Sequence, residues 1–137
     1  MASLRISIGP LVFIAQLEER GAPRTCEELL KLCPLRGKIL QDLWSGEAAW
    51  APLNTTFPML DMENAISDPA VGELLLYRGG IREAGILFPF GSTIFKNEMD
   101  KLVGNHFATI LDGHRQMDEL GHRLQWEGAQ DIVIEFP

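Results

Sequence analysis

The stretch Asn105-His-Phe-Ala-Thr-Ile-Leu-Asp-Gly113, with residues 114–120 after it, decides how this chain is read. Alternation around Phe107, Thr109 and Leu111 is the two-residue period of a strand. Asp112-Gly113 is a turn signal, and residues 114–120, with Met117 and Leu120 inward, predict a short helix that stops near Gly121. A strand that hands over to a short helix, among many other short apolar runs, points to a mainly β chain with few helices.

Working outward, residues 4–8 alternate as Leu4, Ile6 and Ile8 against Arg5 and Ser7. Gly9-Pro10 turns the chain into a second strand over 11–17. Cys26, Leu29, Leu30 and Cys33 follow the i, i+3, i+4, i+7 spacing of one helical stripe. That helix begins either at Pro23, a good first residue, or three residues on if Thr25 and Glu28 form a capping box. Pro34 ends it. Residues 38–53 read as a hairpin around Ser45-Gly46. A two-residue loop pairs Gln41 with Trp50 and puts Ile39, Gln41, Leu43, Ala48 and Trp50 on a core face. Residues 54–71, with Pro58 and Pro69 and no clean period, form a long loop of the kind that often carries function. Strands follow at 72–77 and 86–90; Pro89 marks an edge or a bulge, Gly91-Ser92 a break, and residues 93–95 a short further strand. Strands at 124–126 and 131–136 close the chain.

At 137 residues the chain is one domain, residues 1–137. Its net charge of −7 disfavours nucleic acid, which requires a basic stripe, and anionic membrane surfaces. No run approaches the roughly 20 apolar residues of a membrane span. The first ten residues lack the pattern of a signal peptide. A cytoplasmic protein is the expectation. Cys26 and Cys33, seven apart on one helix, would stand about 10 Å apart, beyond disulfide reach, so both are expected as reduced thiols.

Strand, strand, helix, hairpin, loop, strands, helix and closing strand is an order that resembles cyclophilin. Residues 107–113 and the helix to Leu120-Gly121 look like the cyclophilin strand-helix unit. The stretches Trp44-Ser-Gly-Glu-Ala48, Glu63-Asn-Ala65, Gly104-Asn-His-Phe107 and Trp126-Glu-Gly-Ala-Gln130 resemble a bacterial cyclophilin-like family known only as domain of unknown function 3830. The resemblance implies a cyclophilin-like β-barrel of about eight strands with two helices. It brings no established activity.

Where cyclophilins carry their catalytic arginine, this chain has Asp42 by rough register. A carboxylate cannot donate as a guanidinium does, which disfavours prolyl isomerisation. Small-molecule binding is the leading reading: Asp42, Trp44 and Glu47 on the hairpin suit a small polar metabolite. Asn64, Tyr77, Asn105 and His106 would line the same groove, which in cyclophilins runs between this hairpin and the strand near residue 105. An enzyme would use His106 as acid/base with Glu47 as its carboxylate partner. Asp42, Trp44, Asn64, Tyr77 and Asn105 are then the binding residues. No cofactor is expected. No metal is expected either, since the three histidines lack ligand spacing. The rival reading is a homodimeric interaction module without ligand.

Overall fold

The computed structural model describes residues 2–80 and 82–136. It begins with the alternating pattern realised in full. In β1 (Ser3–Ile8) and β2 (Leu11–Leu17), Leu4, Ile6, Ile8, Phe13, Ala15 and Leu17 are buried to within 1%. The strands pair antiparallel from Ser3↔Gln16 to Ile8↔Leu11, and Gly9 supplies the positive φ of 54° that so short a loop requires. After α1 (Pro23–Leu32) come β3 (Leu35–Gln41), β4 (Gly46–Pro52), the two-residue β5 (Ala65–Ile66), β6 (Glu73–Tyr77), β7 (Gly85–Thr93), β8 (Gly104–Asp112), α2 (Met117–Glu127) and β9 (Gln130–Glu135).

The sheet runs β2-β1-β9-β3-β4-β7-β6-β8, and β8 returns to β2 through Leu17↔Ala108 and Ala15↔Ile110. This closes an eight-stranded antiparallel barrel. β5 extends the β2 edge of β8 through Ala65↔Asn105. The fold is therefore mainly β, a closed barrel with two helices, as expected. Phe13 and Phe88, from non-adjacent strands, meet edge to face across the interior at 5.1 Å. Each such buried ring stabilises the fold by about 1.5–3 kcal/mol.

β4, β6 and β7 are buried on both faces, which explains the unbroken Leu74-Leu75-Leu76 run. Inward residues such as Ala49, Leu74, Leu76, Ile86 and Phe88 join the main core. Ala48, Leu75 and Leu87 point outward and, with Phe95, make a second, smaller core outside the barrel wall.

Several local expectations are corrected. The hairpin register is Leu40↔Trp50 and Gln41↔Ala49, one residue from the expected pairing. A slip of one exchanges faces: Ala49 and Ala51 go inside with Ile39, while Trp50 goes outside and Leu43 is 76% exposed. The cause is the loop, in which Asp42 accepts the Trp44 N–H at 3.1 Å and the Ser45 hydroxyl at 2.8 Å. In β8, Leu74 pairs with Ala108 but Leu75 with His106. Phe107 is thus an extra residue in the ladder, and Ile110, not Leu111, is buried. β7 does not break at Gly91-Ser92; Pro89 lies at a register shift opposite β4, the bulge of the two expected alternatives. Residues 124–126 are helical, not strand: Leu124 continues the inward row of Met117 and Leu120, and Gly121 is accommodated because Phe90 packs on its bare Cα. α1 starts at Pro23, with no capping box.

Candidate functional site

The seven residues expected in one groove fall into separate places. Asp42, Trp44 and Tyr77 line an open groove of about 690 Å³ on the outer barrel wall. Asn64, Asn105 and His106 meet elsewhere, on β8 beneath the long loop. Glu47 is in neither group: its carboxylate accepts the Ser92 N–H at 2.9 Å. β7 and β6 lie between its strand and that of His106, so the expected Glu47–His106 pair is not formed.

The groove is built on three rings. Trp50 stands 6.3 Å from Tyr77 and 5.9 Å from Phe95, and Tyr77 meets Phe95 edge to face at 5.8 Å. Trp50 and Tyr77 project from the outer face of β4 and β6, and Phe95 packs on them from the segment after β7. Leu40, Leu43 and Trp44 of the β3–β4 hairpin contribute to the lining, as do Arg82, Glu83, Lys96, Asn97 and Leu102. The surface is thus apolar below and charged at the rim.

Ser45, only 4% exposed, joins the two walls. Its hydroxyl donates to Asp42 and accepts the Lys96 N–H at 3.1 Å, and its carbonyl accepts the Ile94 N–H at 3.0 Å. Burial pushes the Asp42 carboxyl above its ordinary value, although hydrogen bonds from Ser45 and Trp44 pull it down. Asp42 therefore shapes the hairpin loop, with both oxygens engaged. Sequence reading passed over Trp50, Phe95, Ser45 and Lys96 as site residues. The available signal was Gly85, where a side chain would overlap the Trp50 ring.

The second cluster is a closed hydrogen-bond network. Glu63 accepts the N–H of Thr25 at 2.7 Å and of Arg24 at 3.3 Å, so the loop supplies the cap that α1 lacks in its own sequence. Burial raises the Glu63 carboxyl, but the Thr25 hydroxyl and these amides outweigh it and hold it below its usual range. Asn105 donates to Thr25 Oγ1 and to the Asp61 carbonyl, both at 3.0 Å, and accepts the Glu63 N–H at 3.2 Å. Asn64, at φ 51°, donates to the His106 carbonyl at 3.0 Å. The His106 ring lies between Asn64 Nδ2 at 3.4 Å and Thr109 Oγ1 at 2.8 Å. Asn64 Nδ2 can only donate, so a hydrogen bond to Nδ1 requires the tautomer with its proton on Nε2. The signature stretches 63–65 and 104–107 thus bind one another.

Cys26 donates to the Phe107 carbonyl at 3.4 Å, and burial, then the Glu19 and Glu63 carboxylates, push its thiol up to about 11. Such a thiol is a poor nucleophile. Among the described residues no three His, Cys, Asp or Glu side chains gather into a metal site, and no helix is long and apolar enough to cross a membrane.

A closed antiparallel barrel with a groove on its outer wall is the class of protein these features define. The chain belongs to the family described as protein of unknown function (DUF3830), whose model matches residues 4–136. No curated protein matches it. Among solved structures it is similar to McbB in complex with tryptophan, with a TM-score of 0.69 and 13% identity. That match covers 97% of this chain but 44% of McbB, so the chain spans under half that protein's length. It is also similar to the hypothetical protein AF2241 from Archaeoglobus fulgidus, with a TM-score of 0.65 and 18% identity over 99% of this chain and 95% of that one. At these identities the likeness concerns the fold.

Proposed function

We propose that this barrel binds a small molecule in the groove over Trp50, Tyr77 and Phe95. The observation that carries the reading is the aromatic floor outside the main core, in which the half-buried Trp50 and Tyr77 border an open groove and the buried Phe95 holds them in place. Exposed aromatic surfaces bind flat or ring-shaped bodies well and leave specificity to rim polar groups. The ligand is then less polar in its body than the hairpin alone implied. The complex of the similar McbB fold with tryptophan makes aromatic amino acids natural first probes. Turnover by His106 with Glu47 draws no support from their separate positions, and prolyl isomerisation draws none from Asp42, whose oxygens only accept.

A thermal-shift screen of a metabolite library tests this, with Leu40→Glu and Trp44→Ala beside the wild type. A ligand at 100 times its Kd should add about 2.7 kcal/mol, a shift of several degrees, and should lose most of it in both variants. A ligand whose shift is untouched by either substitution would move the site elsewhere. The competing reading, a homodimer without ligand, rests on Leu43 and Met99, which are 76% and 84% exposed. Light scattering that finds a dimer broken by Leu43→Asp, together with a blank screen, would favour it.

A further inference from the structure

The chain has four lysines. Lys31 pairs with Glu27 and Glu28, and Lys38 with Asp131. The other two, Lys96 and Lys101, face each other across an isolated antiparallel bridge after β7. Among the described residues neither has an acidic partner within salt-bridge distance. Like charges directly opposite on a strand pair destabilise it. This chain nevertheless keeps them there, with a net charge of −7 and acids to spare.

Lys96 lines the groove. Its backbone is fixed, since its N–H donates to the buried Ser45 hydroxyl at 3.1 Å and its neighbour Phe95 belongs to the ring floor. The side chain is therefore presented from a rigid Cα. Arg82, the other cation on the groove, is held by Glu98 at 2.7 Å. Asp42 has both oxygens engaged. Asp42 and Glu83 are the acids lining the groove, and neither comes within salt-bridge distance of Lys96. Lys96 is thus a cation of the groove that no acid among the described residues neutralises at contact distance, and it stands beside an apolar floor.

We propose that the groove takes an apolar-bodied carboxylate, with a ring or branched body over Trp50 and Tyr77 and the carboxylate on the Lys96 ammonium. This rests on the reading of the groove as a ligand site. A phosphate dianion would require several donors. Here the Lys96 and Ser45 amides are already bonded and Arg82 is engaged, so a singly charged carboxylate is the better match. Lys101, opposite Lys96, raises the local positive potential.

The test uses matched acid–amide pairs on the full chain: phenylacetate, indole-3-acetate and cyclohexanecarboxylate, each beside its carboxamide. Titrations are followed by backbone amide NMR in wild type, Lys96→Met and Lys101→Met. In wild type the acids should bind about tenfold more tightly than the amides, with shifts at residues 40–44 and 95–97. Lys96→Met should reduce that preference to about twofold or less and leave amide affinity unchanged. Lys101→Met should fall between. Acids and amides that bind the groove equally in wild type overturn the charge assignment and leave the groove standing. Binding of none of the probes at millimolar concentration, or shifts confined to the far side of the barrel, overturns both.

Discussion

The indole of Trp50 lies across the bare Cα of Gly85, its diagonal neighbour on β7: Trp50 pairs with Leu87, and Gly85 with Pro52. A methyl group at 85 would overlap Cζ2, Cε2 and Cη2 of the ring. Gly85→Ala should therefore drive Trp50 from its place beside Tyr77 and Phe95. Overpacking of this kind costs about 1–3 kcal/mol. Urea denaturation should show the loss, and tryptophan emission should move to the red. A variant as stable as wild type with unchanged emission would refute the packing role.

Glu63 should make the long loop sensitive to acid. Its folded carboxyl lies below the unfolded value of about 4.3. Its stabilisation is then fully present above that value and is lost as pH falls through the folded one. Glu63→Ala should cost about 1 kcal/mol, the usual worth of a helix cap. It should also flatten the acid limb of the stability profile. Hydrogen exchange at residues 61–65 is the sharper readout, since these amides should lose protection first. Equal protection in the variant would mean that the loop is held by Asn105 and Asn64 alone.

His106→Ala separates a catalytic residue from a structural one. The ring bridges Asn64 and Thr109, and it is 8% exposed. Its removal should destabilise the fold by about 1–3 kcal/mol, the cost of stranding buried polar partners. In the wild type, long-range nitrogen NMR of the imidazole should report the proton on Nε2. An undiminished stability with the opposite tautomer would return His106 to the list of available acid/base groups.

Asp42 gives a pH dependence of opposite sign. Its folded carboxyl lies above the unfolded value of about 3.9. The contribution favours folding below the unfolded value and disappears as pH rises through the folded one. Asp42→Asn keeps the acceptor for the Trp44 N–H and removes the buried charge. The wild type should therefore lose stability relative to this variant as pH climbs from 4 toward neutrality. Parallel urea midpoints across that window would show that the Asp42 charge is adequately solvated.

Periodicity made the barrel legible, because β1, β2 and β9 each have one clean inward face. It failed where a strand is covered on both sides or carries an extra residue. Nothing in Trp50-Ala51-Pro52 announces which face is inside, since alanines fit either core. The hairpin register depended on the Asp42–Ser45 turn, a side-chain interaction that a loop-length rule does not contain. Gly121 reads as a helix stop until Phe90 is known to lie within 2.6 Å of where its Cβ would be. The signature residues were easier to find than to interpret. Asn64, Asn105 and His106 do converge, but on one another and on Glu63 and Thr25, so a conspicuous polar motif marked a joint in the scaffold. Tyr77 and Trp44 lie on one groove, whose floor is hidden from the sequence by the one-residue slip.

The second core outside the wall separates two kinds of evolutionary constraint. Ala48, Leu75, Leu87 and Phe95 tie the groove floor to the strands, whereas Leu43, Trp44 and Lys96 stand on hairpin ends beyond either core. Drift at the rim can retune what is recognised without disturbing how the chain folds. Relatives that share this barrel are then expected to agree at the floor and diverge at the rim.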